Sequence, residues 1–112
     1  MMKHVHFSKV EKEAVAMEGA EGVSVRWVIN EADGAKNFAM RVFEVEANGR
    51  TPYHDHDWEH EVFILSGSGV VCAEGQDTPL VPGDVVFVPG GEKHNFKAGF
   101  EGLTFICLVP YQ

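Results

Sequence analysis

The chain has 112 residues, 45% of them apolar, enough to close one small core and too few for a credible second domain. Nine basic against seventeen acidic residues leave a net charge of −8, which argues against nucleic acid or an anionic membrane surface as a partner. No apolar run approaches the length of a bilayer span, and the opening MMKHVHFSKVEKEAV lacks the apolar middle of a signal peptide, so a cytoplasmic protein is expected.

Taken from the N-terminus, residues 9–18 are the one helix candidate, with Ser8 and Glu11 at capping-box spacing. Gly19 and Gly22 follow at once, and so short a segment gains little from propensity alone, which argues against the helix. The rest alternates between short β-rich runs and turn signals. The runs are VSVRWVI (23–29), FAMRVFEVE (38–46), HEVFILS (60–66), VVCAE (70–74), DVVFVP (84–89) and LTFICLV (103–109). Glycine, proline, asparagine or aspartate clusters fall at 32–34, 48–49, 67–69, 75–77, 82–84, 89–91 and 99–102. Such spacing predicts an all-β sandwich or barrel, with residues 1–22 as an N-terminal extension and 23–112 as the β-domain. The repeated Val-Pro-Gly at 81–83 and 88–90 predicts two tight type II turns around one strand. Cys72 and Cys107 are too few and too far apart for a disulfide framework, so both are expected as free, small core residues.

The chemistry concentrates in TPYHDHDWEHEVFILSG (51–67), where three of the six histidines, His54, His56 and His60, stand among Asp55, Asp57, Glu59 and Glu61. In extended chain alternate side chains share a face, so His54 and His56 can grip one ion together. A third ligand could be His60 or Glu61 but not easily both, because neighbours point to opposite faces. A fourth is His94 in VPGGEKHNF, on a strand beginning after a Pro-Gly-Gly turn. Imidazole suits iron, manganese, nickel, copper and zinc. His4 and His6 also form a His-x-His pair, but at a terminus expected to fray.

These residues resemble the motifs of the cupins. The second motif matches as Gly83, five residues, Pro89, Gly90, Gly91, two residues, His94, and departs at its end, where Ala98 stands in place of the usual Asn. The first begins at Gly49 with four rather than five intervening residues, runs through His54 and His56, and closes at Gly67. The motif's spacing of six intervening residues before Gly67 puts the third ligand at His60, whereas Glu61 would leave only five. That substitution resembles the small four-histidine manganese cupins of bacteria, a likeness extending from about residue 23 to the end. The resemblance implies a single-domain jelly roll, or double-stranded β-helix. It also implies one divalent transition metal per chain, manganese first with iron, nickel, zinc or copper as alternatives, held by His54, His56, His60 and His94.

A four-imidazole site leaves two positions of an octahedron open, which supports Lewis-acid or redox chemistry, and the four-histidine resemblance implies a metal-dependent oxidoreductase of dioxygenase type on a small organic molecule. The alternatives are a non-redox isomerase or lyase on sugar-derived acids, or a small-ligand-binding module. Arg41 lies on a largely apolar strand and either points inward, where it needs an anion, or outward on the surface. Phe105 and Cys107 share one face of the last strand and are the other pocket candidates. Tyr53 should face away from the metal, Trp58 should fix the loop between His56 and His60, and Asp55, Asp57 and Glu59 should form a solvated rim. A lone small cupin commonly exposes one sheet face, so a homodimer is expected, with the first 20 or so residues as candidates for exchange between subunits.

Overall fold

The computed structural model describes residues 2–111. Seven antiparallel strands form one continuous sheet: β1 (Glu13–Ala14), β2 (Glu21–Ile29), β3 (Phe38–Arg50), β4 (His60–Ala73), β5 (Gln76–Leu80), β6 (Val85–Val88) and β7 (His94–Pro110). Their order is β1-β2-β3-β7-β4-β5, with β6 paired to the first part of β4. The sheet curls into a jelly roll. Its interior is packed by Val23, Val45, Val62, Ile64, Leu80, Phe96, Leu103 and Phe105.

Curvature comes from glycines inside strands. The clusters at 67–69 and 99–102 read as turns in the sequence, yet both lie within the long strands β4 and β7. Gly67 (φ 88°) and Gly102 (φ 77°) take left-handed torsions, and the β4–β7 register shifts on both sides of Gly67. A Cβ on Gly67 would collide with the Gly102 carbonyl, so the two strands cross backbone against backbone. The Asn48-Gly49 signal is likewise a bend, inside β3, with Asn48 at φ 61°.

No α-helix forms over residues 9–18. Phe7–Lys9 make a single 3-10 turn and Glu13–Ala14 form β1 against β2. Arg26 draws the carbonyls of Ser8 and Val10 sideways at 3.3 and 2.6 Å, and Val15 donates its N–H to Val23, so this backbone is bonded across rather than along the chain. Lys3 of the extension is also paired to Asp33 at 2.9 Å. Of the two expected type II turns, Val81–Asp84 forms with Gly83 at φ 95° and Asp84 N–H donating to Val81. The second sits one residue later than predicted: Glu92 N–H donates to Pro89, and Gly91, at φ 84°, takes the left-handed place. Gly90 serves a different need, since a Cβ there would meet the Asp57 carbonyl.

Candidate metal centre

The histidine segment reaches the barrel from two directions. Residues 51–59 form no regular strand, yet their exposure still alternates: Tyr53, Asp55, Asp57 and Glu59 are exposed while His54, His56, Trp58 and His60 turn inward. What holds this segment extended is β7 and the turn before it. Thr51 N–H donates to Phe96 at 2.9 Å, His54 and His94 exchange both main-chain bonds at 3.1 and 3.0 Å, and Gly91 N–H donates to His56 at 2.7 Å. The side chain of Asn95, buried beside His94, donates to the Thr51 carbonyl at 3.1 Å. The two motifs, far apart in sequence, are thereby laced together by main chain.

His56, His60 and His94 each offer one ligand atom, all within 4.8 Å of one another. The ring of His54 adjoins this group, with centroids 5.3 Å from His56 and 5.8 Å from His94. Glu61 lies exposed on the opposite face of β4, outside the cluster. Tautomers are set from behind. His56 Nδ1 donates to the Trp58 carbonyl and His94 Nδ1 to the Glu92 carbonyl, both at 2.8 Å, which leaves each Nε2 with its lone pair free. Trp58 also stacks on His56, ring centroids 4.5 Å apart and 9° from parallel.

His60 differs, because its Nδ1 faces no carbonyl. It lies 2.8 Å from Cys107 Sγ and 3.2 Å from Arg41 Nη2, and Arg41 Nη2 donates to Cys107 Sγ at 3.1 Å. On the other side, His60 Nε2 is 2.6 Å from His56 Nε2. Since His56 Nε2 carries no proton, His60 Nε2 donates to it and Nδ1 accepts from Arg41. The other tautomer is also accommodated, with Nδ1 donating to the Cys107 sulfur and Nε2 free for a cation. Burial, then the Arg41 charge, then the other imidazoles push the His60 pKa down to about 3. Burial and neighbouring imidazoles also lower His54, and burial is the main cause lowering His94. Burial pushes the Cys107 thiol up, against the pull of Arg41.

The donor set fits a first-row divalent ion. Burial favours the neutral form of His54, His60 and His94, metal–imidazole bonds of about 2.1 Å would let one ion reach nitrogens about 4 Å apart, and His54 Nδ1 is buried with no hydrogen-bond partner. The cavity beside the cluster, about 220 Å³, is lined by Phe43, Phe96, Phe105, Trp58 and Cys107 among others, and by no carboxylate.

The three pocket candidates Arg41, Phe105 and Cys107 all line this cavity, so Arg41 points inward. Cross-strand register explains the grouping, because Arg41 pairs with Cys107 and Phe43 with Phe105. Sequence reasoning missed Trp27, which pairs with Arg41 and stacks under its guanidinium at 5.4 Å, and Phe43, whose ring lies 4.9 Å away. It also missed Val15 and Met17 of the extension, which line the cavity; their two-residue spacing in a polar segment was the available signal. Asp55, Asp57, Glu59 and Tyr53 do not line it, and Lys93 covers the Tyr53 ring at 5.2 Å.

Comparison with known proteins gives a consistent picture. Residues 41–109 match the Cupin domain family. The polyketide cyclase RemF from Streptomyces resistomycificus superposes with a TM-score of 0.95 at 38% identity, over 100% of this chain and 81% of that one. The 1-methylthio-D-xylulose 5-phosphate methylsulfurylase of Rhodospirillum rubrum is 35% identical over 71 residues, 62% of this chain and 46% of the relative. An oxalate-binding protein of Thermotoga maritima is 38% identical over 58 residues, 50% of this chain and 48% of the relative. The matches thus span about half the length of these curated relatives. Among the described residues no helix is long and apolar enough to cross a membrane.

Proposed function

This chain belongs to the cupin family, and from that premise we propose that it is an enzyme acting on a small, oxygen-rich organic molecule without net oxidation, as a cyclase or isomerase does. One divalent transition metal is held by His54, His56, His60 and His94. The observation that carries this reading is the make-up of the cavity: imidazoles converge at an aromatic-lined space that contains no carboxylate. When bound, the ion supplies Lewis-acid polarisation of a carbonyl or enolate oxygen, and four neutral ligands leave its charge undiminished. The chain's own residues orient and shield. The Trp58 and Glu92 carbonyls fix two tautomers, and Phe43, Phe96 and Phe105 keep water from the reacting face. Manganese is the ion expected from the four-histidine resemblance, while an all-nitrogen site binds nickel, copper or zinc more tightly in solution.

Likeness to a polyketide cyclase along the whole chain supports the non-redox direction, because ring closure of a poly-oxo chain passes through enolates that a cation stabilises. The dioxygenase reading uses the same ligands but requires a redox-active ion and oxygen. Cys107 Sγ, 2.8 Å from His60 Nδ1, stands where that chemistry would oxidise sulfur, and we place this reading second. Metal-free protein reloaded with zinc or with manganese, incubated with 2,4,6-heptanetrione and followed by absorbance and an oxygen electrode, separates the two. Conversion by the zinc form with no oxygen uptake is expected. Conversion only with manganese, matched by oxygen uptake, overturns the proposal in favour of an oxidoreductase.

A further inference from the structure

The chain has three arginines, and two are neutralised. Arg26 pairs with Glu44 at 2.9 Å and Arg50 with Glu21 at 3.1 Å, both toward the outside. Arg41 is different: it makes no ion pair among the described residues and lines a cavity that has no acidic side chain. Its guanidinium lies over the rings of Trp27 and Phe43. Nη2 is engaged with Cys107 Sγ and beside His60 Nδ1, Nε is buried with no hydrogen-bond partner, and Nη1 makes no hydrogen bond among the described residues.

A guanidinium in an apolar, partly desolvated setting keeps its charge, and its unmet donors are costly unless an anion meets them. Neither neighbour supplies one. Cys107 is a buried cysteine and His60 an imidazole, so the guanidinium touches no carboxylate. The aromatic faces recover part of the lost hydration but give the N–H groups no acceptor. The orientation is not accidental to the site, because the His60 ring alone separates Arg41 from the Nε2 cluster, with Nδ1 toward Arg41 and Nε2 toward His56.

We propose that Arg41 is the anchor for a carboxylate of the substrate, and that the cavity therefore selects planar, unsaturated oxo-acids over neutral ketones. The acid group sits on the guanidinium, and a carbonyl or enolate oxygen a few bonds away lies over the histidine cluster. Phe105, stacked between Phe43 and Phe96 with centroids 5.3 and 4.7 Å away, completes the aromatic wall against which such a molecule lies. The proposal rests on the cavity being the substrate site, as in the function proposed above, but not on which ion is held there or on which reaction follows.

The test compares benzoate with its neutral isostere benzamide, by calorimetric titration of metal-free and of zinc-loaded protein. A charge-assisted hydrogen bond predicts wild-type preference for benzoate by about tenfold to a hundredfold. In metal-free Arg41→Met that preference should vanish. Arg41→Lys, which keeps the charge but not the two-pronged geometry, should retain part of it. Equal binding of the two probes by wild type, or a benzoate preference that survives in Arg41→Met, overturns the anchor. Should Arg41→Met fold poorly, a full benzoate preference in Arg41→Lys with no loss would also count against a bidentate seat. The metal-free arm keeps the inferences apart: failure of the protein to hold zinc sinks the proposed metal function, while the benzoate preference still decides Arg41.

Discussion

The two sides of one wall, β4 with its neighbours β6 and β7, contrast sharply. On the inner side His60, Val62 and Ile64 alternate inward, His60 into a cavity of imidazoles, aromatic rings and one arginine without an ion pair, Val62 and Ile64 into the core beside it. The outer side carries Glu61, Phe63 and Leu65, and across β6 come Val85 and Phe87, 75% and 59% exposed. A chain of net charge −8 thus keeps its described carboxylates out of this aromatic cavity and leaves large apolar groups bare on the outside of the same strands. The difference teaches that strand parity, not local composition, assigns these residues: His60 and Glu61 are adjacent in sequence and serve opposite solvents.

The contrast can be broken most directly at that pair. In His60→Ala we expect metal content per chain to fall to near zero, while Glu61→Ala keeps it at the wild-type level and shifts stability by under about 0.5 kcal/mol; elemental analysis beside denaturant titration reads both. Loss of metal with Glu61 instead would exchange the roles of the two faces. Next in size, Gly67→Ala forces a Cβ into the Gly102 carbonyl at a left-handed position and should cost about 3 kcal/mol, read as a lower urea midpoint. The outer face should matter only between molecules. We expect copies to pair through Phe63, Val85 and Phe87, so Phe87→Glu should turn a dimer into a monomer by light scattering at micromolar concentration. Wild type that is already monomeric removes this prediction.

The last effect is on pH. The folded His60 titrates near 3 against an ordinary value of 6.5, and His54 and His94 are shifted the same way. Between those values the unfolded chain binds more protons, so the stability of the metal-free protein is full above about pH 6.5 and is lost progressively on acidification. Denaturation midpoints from pH 7 to 4 should fall, and fall less steeply in His60→Gln. A flat profile in wild type would mean that the imidazoles are not held neutral by the fold.

Much of this was legible from residue type and spacing. His56, a third histidine separated from Gly67 by six residues, and His94 after Pro89-Gly90-Gly91 are the three the structure brings together, with the His54 ring beside them. What misled was glycine. A left-handed torsion inside a strand and one inside a hairpin turn leave the same letter, so Gly67 and Gly102 read as turns when they bend continuous strands. The direction of Arg41 was undecidable for another reason: its neighbours Trp27 and Cys107 come from β2 and β7, and register between distant strands is not written locally. Val15 and Met17 reach the cavity only because the extension bonds across to β2, a choice of partner that propensity does not encode.

The lacing between residues 51–56 and 91–96 bears on how the site opens. Because Thr51, His54, His56, Gly91, His94 and Phe96 share main-chain bonds, no single histidine strand can swing free while the other stays in place. The segment should behave as one foldon, its amides exchanging with solvent at a common rate set by a single opening event. An ion held there would then leave by that collective opening rather than by successive release of single rings, so its residence time would track the slowest breathing motion of the barrel.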